Sequence, residues 1–336
     1  MKTGQVIMAV VVVAIIAAGF WVWQADHDKP TFTDPIVKMT LAVYAGDVAA
    51  LAFLAQEDGL FIKNGVEVTL KEYNRGMKTF DAFSKGEADV ATIPELGFIA
   101  KMTANPGARI FGSLSTYNIR EVVARRDKGI TVPGDLRGRR IGLSGDMSTY
   151  YLGVFLPLHG MKYTDVVTVR LPPSDINAAL LSGTIDAAVT WEPNVSHVKK
   201  ELGENAISFT PPEGLAPETT FVLVANASWL QQNGETAARF LRGLKAAEAF
   251  VAANPDKAKS RIAARFALTP DYVASVLSRI NLRTELTQRL LVAMEDEARW
   301  GMANNVLSLK DPPNFLDYFV SEPLSSVDAD AVTLLR

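Results

Sequence analysis

The sequence predicts an α/β protein of two lobes, each a mostly parallel sheet flanked by helices, with an N-terminal membrane segment ahead of them. Residues 51–95 read helix, turn, strand, loop, helix, turn, strand, loop, the alternation from which parallel sheets are built. The same alternation resumes past a connector, Val132-Pro133-Gly134-Asp135-Leu136-Arg137-Gly138, so a second sheet is expected. At 336 residues the chain exceeds what one hydrophobic core usually serves, and a 48% hydrophobic share leaves material for two.

The elements follow in order. Residues 6–23 are an uncharged apolar run, preceded by Lys2 and followed by Asp26, His27 and Asp28. The positive end stays in the cytoplasm, so the rest of the chain is expected to be exported. At 1.5 Å per residue the run spans roughly 27 Å, enough for a bilayer core. Ala17-Ala18-Gly19 offers a cleavage site, whereas Trp21 and Trp23 suit the interfacial belt of an uncleaved anchor; both readings stay open. Residues 1–25 are thus a signal peptide or signal anchor, and 26–36, with two prolines and no periodicity, a spacer. The chain has no cysteine, which excludes lipoprotein attachment, disulfides and thiolate metal sites. Net charge is −3 with mixed signs, so no nucleic-acid surface is expected.

The first lobe is expected over 37–125 and 220–336, the second over 126–219. A strand over 37–44 is broken by Ala45-Gly46-Asp47. A helix over 49–56 ends at Gly59, and 66–70 alternates as a strand does. A helix over 78–85 closes at Gly86. A strand over 88–93 then leads through Pro94 and Glu95 into a helix over 96–103. Strands follow over 108–114 and 120–125, and Asp127-Lys128-Gly129 marks the first crossover. In the second lobe a strand over 140–143 meets Ser144-Gly145-Asp146-Met147-Ser148 and a helix over 149–159. A strand over 166–170 precedes a helix over 175–181, capped by Ser174 and stopped by Gly183. A strand over 185–190 runs into Trp191-Glu192-Pro193 and a helix to about residue 200. A short strand over 206–209, a proline-rich return and a strand over 220–224 bring the chain back. The remainder reads as helical: 234–253, a helix started by Thr269-Pro270, and an amphipathic helix over 284–304 carrying Leu290, Leu291, Met294 and Trp300 as core.

Four stretches carry a resemblance: LAQEDGLFIKNGVEVTL, FSKGEADVATIPE, LRGRRIGLSGDMSTYYL and LPPSDINAALLSGTIDAAVTWEPN. In this order and spacing, over most of 40–225, the chain resembles the substrate-binding proteins of ABC importers for taurine, aliphatic sulfonates and nitrate. The resemblance implies a type II periplasmic-binding-protein fold. It also implies a small-molecule ligand held between the lobes by backbone N–H groups, hydroxyls and an aromatic. Further implied are permease and ATPase partners, a periplasmic location and a monomer.

Ligands of open α/β sheets sit beyond the carboxyl ends of strands. That places the candidate ligand residues on five loops: Gly46 and Asp47; Arg75 and Gly76; Pro94 and Glu95; Ser144, Met147, Ser148 and Thr149; Trp191 and Glu192. Each has a plainer role open to it. Asp47 and the hydroxyls suit helix caps, Gly76 a tight loop, Glu95 a first helical turn, Trp191 the core. Asp47, Glu95, Asp146 and Glu192 make these loops acidic, with Arg75 as the clear cation. Such a lip disfavours a bare anion such as nitrate and favours a zwitterion, an amine-bearing sulfonate or a neutral heterocycle. Closure about segments near 123–130 and 214–220 is the expected motion.

Catalysis is the minority reading. The histidines are His27, His159 and His197, none at metal-ligand spacing to another, and no Walker loop or cofactor motif occurs. Two other functions remain open. One is a membrane-anchored sensory or scaffold protein on the same fold. The other is a pyrimidine-precursor biosynthetic enzyme, although such enzymes carry a cysteine-rich motif and this chain has none.

Overall fold

The structure, a computed structural model, describes residues 35–212 and 214–335. The apolar run at 6–23 and the spacer up to residue 34 lie outside them. Among the described residues no helix is long and apolar enough to cross a membrane.

The strands in chain order are β1 (Val37–Tyr44), β2 (Val66–Tyr73), β3 (Val90–Pro94), β4 (Ala108–Tyr117), β5 (Arg120–Arg125) and β6 (Arg140–Leu143). They continue with β7 (Val167–Arg170), β8 (Ala187–Trp191), β9 (Ala206–Phe209), β10 (Thr219–Asn226) and β11 (Ile280–Asn281). One sheet runs β11-β4-β10-β3-β1-β2 and the other β7-β6-β8-β5-β9. The two share a plan. In the first, β1 lies between parallel β2 and β3, and β10 adds antiparallel beside β3. In the second, β6 lies between parallel β7 and β8, and β5 adds antiparallel beside β8.

β5 corrects the expected crossover. The sequence places it with the first lobe, but it pairs with β8 and β9. The chain therefore leaves the first sheet at Asn118-Ile119, ahead of Asp127-Lys128-Gly129. The cause is burial: Val122, Val123 and Ala124 are all 0% exposed, with alternate residues feeding opposite faces of the second sheet. Val122 and Ala124 join Tyr151, Leu152 and Phe155 on one side; Val123 joins Ile176, Leu180 and Val198 on the other. The return lies between Phe209 and Thr219.

Caps separate the local from the non-local. Thr269 accepts from the Tyr272 N–H at 3.3 Å, as its position before Pro270 predicts. Ser174 does not cap. The helix Pro173–Ser182 starts one residue earlier on its proline, and the Ser174 hydroxyl bonds Asp175 instead. The helix expected over 284–304 is shortened to Gln288–Ala303, because the Thr284 and Glu285 N–H groups donate to the Glu248 and Ser113 side chains and Leu286 bridges to Val332. Helix Gln288–Ala303 touches both sheets' layers. Met294 and Ala298 belong to the first core. Trp300 meets the rings of Tyr150 and Tyr163 edge-on, at 5.5 and 5.9 Å, beside the second sheet. It rests on the bare backbone of Gly153, where an added Cβ would lie 2.0 Å from the indole.

Candidate functional site

A cavity of about 320 Å³ lies where the carboxyl ends of both parallel trios meet. The end of β1 supplies Tyr44, Asp47 and Val48; the loop after β2 supplies Asn74, Arg75, Gly76 and Met77; β3 supplies Pro94. From the other sheet come Ser144 and Gly145 after β6, Pro173 after β7, and Trp191 and Glu192 at the end of β8. Tyr117, Ile119 and Arg120, at the crossing, and Phe221 of β10 complete the wall. Gly76 is forced by close approach: a Cβ there would stand 2.8 Å from Pro94 Cδ and 3.3 Å from the Phe221 ring.

Of the residues singled out in the sequence, Asp47, Arg75, Gly76, Pro94, Ser144, Trp191 and Glu192 come together here. Gly46, Glu95, Met147, Ser148 and Thr149 are not in this wall. Gly46 packs on the Tyr44 ring. Met147 leans on the first sheet's core. Ser148 is buried without a hydrogen-bond partner among the described residues, and Thr149 donates to the Gly145 carbonyl at 3.1 Å.

The acidic residues are mostly engaged in holding the fold. Glu192 accepts the Ser196 N–H at 3.0 Å and so caps helix Asn194–Leu202. Asp146 faces Arg170 at 3.5 Å. Glu95 is 1% exposed and accepts the Thr220 N–H at 2.9 Å; burial pushes its carboxyl up to about 8. Asp47 takes the Val48 N–H at 3.0 Å and the Tyr272 hydroxyl at 2.6 Å, and burial raises its carboxyl above the usual range. Asp47 and Glu192 are the acids of that set that reach the cavity.

Arg75 is not the sole cation, as the sequence had suggested. Arg120 lines the cavity with its guanidinium carbon 5.8 Å from the centre of the Trp191 ring. Its Nη1 donates to Thr219 Oγ1 at 2.9 Å, while its buried Nε has no partner among the described residues. Burial lowers its pKa, with Tyr117 and Glu95 opposing, yet an arginine stays charged. A buried cation short of acceptors beside an open cavity calls for an anion. In the sequence Arg120 is only the first residue of an apolar strand; the crossing of the chain between sheets turns it inward. Tyr44, Tyr117 and Phe221 were missed because, in the sequence, each reads as an ordinary strand residue.

The family described as NMT1/THI5 like matches residues 48–258. The chain belongs to that family. Among relatives of this NMT1/THI5-like chain, 4-amino-5-hydroxymethyl-2-methylpyrimidine phosphate synthase of Aspergillus parasiticus is 28% identical over 238 residues, 66% of this chain and 68% of that protein. The taurine-binding periplasmic protein of Escherichia coli is 27% identical over 227 residues, 67% of this chain and 70% of that protein. The crystal structure of the Escherichia coli periplasmic aliphatic sulphonate binding protein superposes with a TM-score of 0.72 at 17% identity, covering 86% of this chain and 93% of that one. The NMT1/THI5-like chain thus has the periplasmic-binding-protein architecture, two helix-flanked sheets around a cavity.

Among the described residues no cluster of His, Asp and Glu is placed to hold a metal. His159 packs its ring on Phe155 at 4.5 Å, and His197 lies within helix Asn194–Leu202.

Proposed function

We propose that this protein is the extracytoplasmic solute-binding component of an ABC importer. It captures a small organic acid between its sheets and delivers it unchanged to a membrane permease coupled to an ATPase. The observation that carries this reading is one cavity built jointly by the strand ends of both sheets, with an under-partnered arginine in its wall. Arg120 suits a sulfonate or carboxylate, the aromatic walls suit the body of the molecule, and Asp47 suits an amine on it. The taurine-binding relative supports that class of solute.

In this reading the sheets are the cores of two lobes joined at 118–119 and 210–218. A ligand touching both lobes binds the closed form better and shifts the population towards it. Residues 6–23 direct the chain across the membrane, cleaved or retained. A thermal-shift screen against taurine, alkyl and aryl sulfonates, nitrate, amino acids, pyrimidines and flavins tests the reading. A true ligand at a hundred times its Kd stabilises by about 2.7 kcal/mol. A panel in which no organic acid raises the melting point overturns it.

The Aspergillus relative favours a second reading, pyrimidine-phosphate synthesis on the same fold. Formation of that pyrimidine phosphate by the purified protein, supplied with a small-metabolite extract, would establish it.

A further inference from the structure

We propose that Glu95 and Glu297 form a proton-sharing carboxyl pair coupled to Arg120, and that this pair sets how strongly Arg120 holds an anion. The inference takes its ligand from the capture reading above.

The pair is a built feature. Glu95 opens helix Glu95–Lys101 and Glu297 lies inside helix Gln288–Ala303; each is 1% exposed. The helices that carry them pack together, each carboxyl feels the other's charge, and Glu95 Oε1 and Glu297 Oε2 are buried with no hydrogen-bond partner among the described residues. Two neighbouring carboxylates have no hydrogen to share unless one of them carries a proton. Like charges in so dry a place cannot both persist. Burial raises both groups, and Glu95 raises Glu297's preference for the proton further, whereas Glu297 favours a charged Glu95.

The surroundings divide. Arg120 of β5 attracts both carboxylates, and the Thr220 N–H favours a charged Glu95. Asp296, next to Glu297, favours the protonated form. Tyr117 of β4 and Tyr150 of helix Gly145–Leu158 face the pair as neutral phenols, held un-ionised chiefly by burial. Arg120 is therefore the one cation among these groups, shared between the pair and the cavity.

That sharing fixes the sign. With a proton on the pair, Arg120 has charge to spare for a sulfonate or carboxylate. When the pair loses its proton, two carboxylates compete with the ligand for the same guanidinium. Anion binding in turn offsets Arg120 and makes the pair hold its proton more tightly. Affinity should fall as pH rises, by about tenfold if the coupling is one pKa unit. Glu95 and Glu297 are positioning residues, acting through Arg120.

Carbon-13 NMR of glutamate carboxyls, followed from pH 5 to pH 9 in the ligand-free full chain, tests the pair. A carboxyl titrating above the ordinary glutamate range in the wild type is expected, its titration altered in Glu297→Gln and moved upward in Arg120→Met. Only ordinary titrations in the wild type, or a high carboxyl indifferent to Arg120→Met, would overturn the proposal without touching the capture reading. Calorimetry with the sulfonate that most raises the melting point then tests the linkage. Proton uptake should appear as heat that depends on buffer ionisation enthalpy, with the pH slope flattened in Glu297→Gln. Heat independent of buffer in the wild type overturns it. A screen that yields no organic acid ligand overturns the capture reading, and the linkage with it, whatever the NMR shows of the pair.

Discussion

In the capture reading Arg120 and Trp191 would divide the binding work between charge and area. Replacing Trp191 by alanine removes a half-buried aromatic wall at the end of β8 without emptying a core. Affinity for the ligand found by thermal shift should drop while the far-ultraviolet circular dichroism stays unchanged. Arg120→Met keeps much of the bulk and loses the charge; a charged hydrogen bond is worth about 1.5–3 kcal/mol, so Kd should rise roughly ten- to hundredfold. Calorimetry decides both, and an unchanged Kd in Arg120→Met would remove the anion from the account. Trp191 was legible because Trp-Glu-Pro follows a clear strand pattern. Arg120 was not, since nothing in Ile119-Arg120-Glu121-Val122 tells a strand-edge charge from an inward one.

At the level of elements, helix Pro270–Ser275 reaches far back along the chain to the cavity. Its Tyr272 hydroxyl, buried, donates to Asp47. Tyr272→Phe leaves a buried carboxylate oxygen short of a donor, which costs about 1–3 kcal/mol. Urea unfolding should show that loss, whereas Thr287→Ala, removing the cap that accepts from Leu290 at 3.2 Å, should cost about 1 kcal/mol. The start of helix Pro270–Ser275 could be read from Thr269 and Pro270 because capping is local. Its destination could not, since the partner lies 225 residues away. The same division explains β5: its span Arg120–Arg125 is plain from its residues, but its sheet is chosen by β8 and β9.

Across the whole molecule, pH should act mainly through the buried carboxyls. Glu95 ordinarily titrates at 4.5 and is raised to about 8 by burial. A folded pKa above the unfolded one means that the fold binds the proton more tightly. This contribution is complete below the unfolded value and fades as pH climbs through the folded one. Paired acids such as Asp186 and Asp135 are shifted the other way, by Arg140 and by backbone N–H groups, and their contributions are already complete above pH 5. The melting temperature should therefore decline between about pH 5 and pH 8, and Glu95→Gln should flatten that decline. A flat wild-type profile would contradict the buried assignment.

The seat of Trp300 on Gly153 limits how such a molecule can swing. An indole pressed on naked backbone cannot be left behind without opening a void, so in the capture reading any closure of the halves should keep that contact. Emission from Trp300 should then hold steady on ligand addition while that of Trp191 changes, giving the molecule a fixed and a moving lamp of its own.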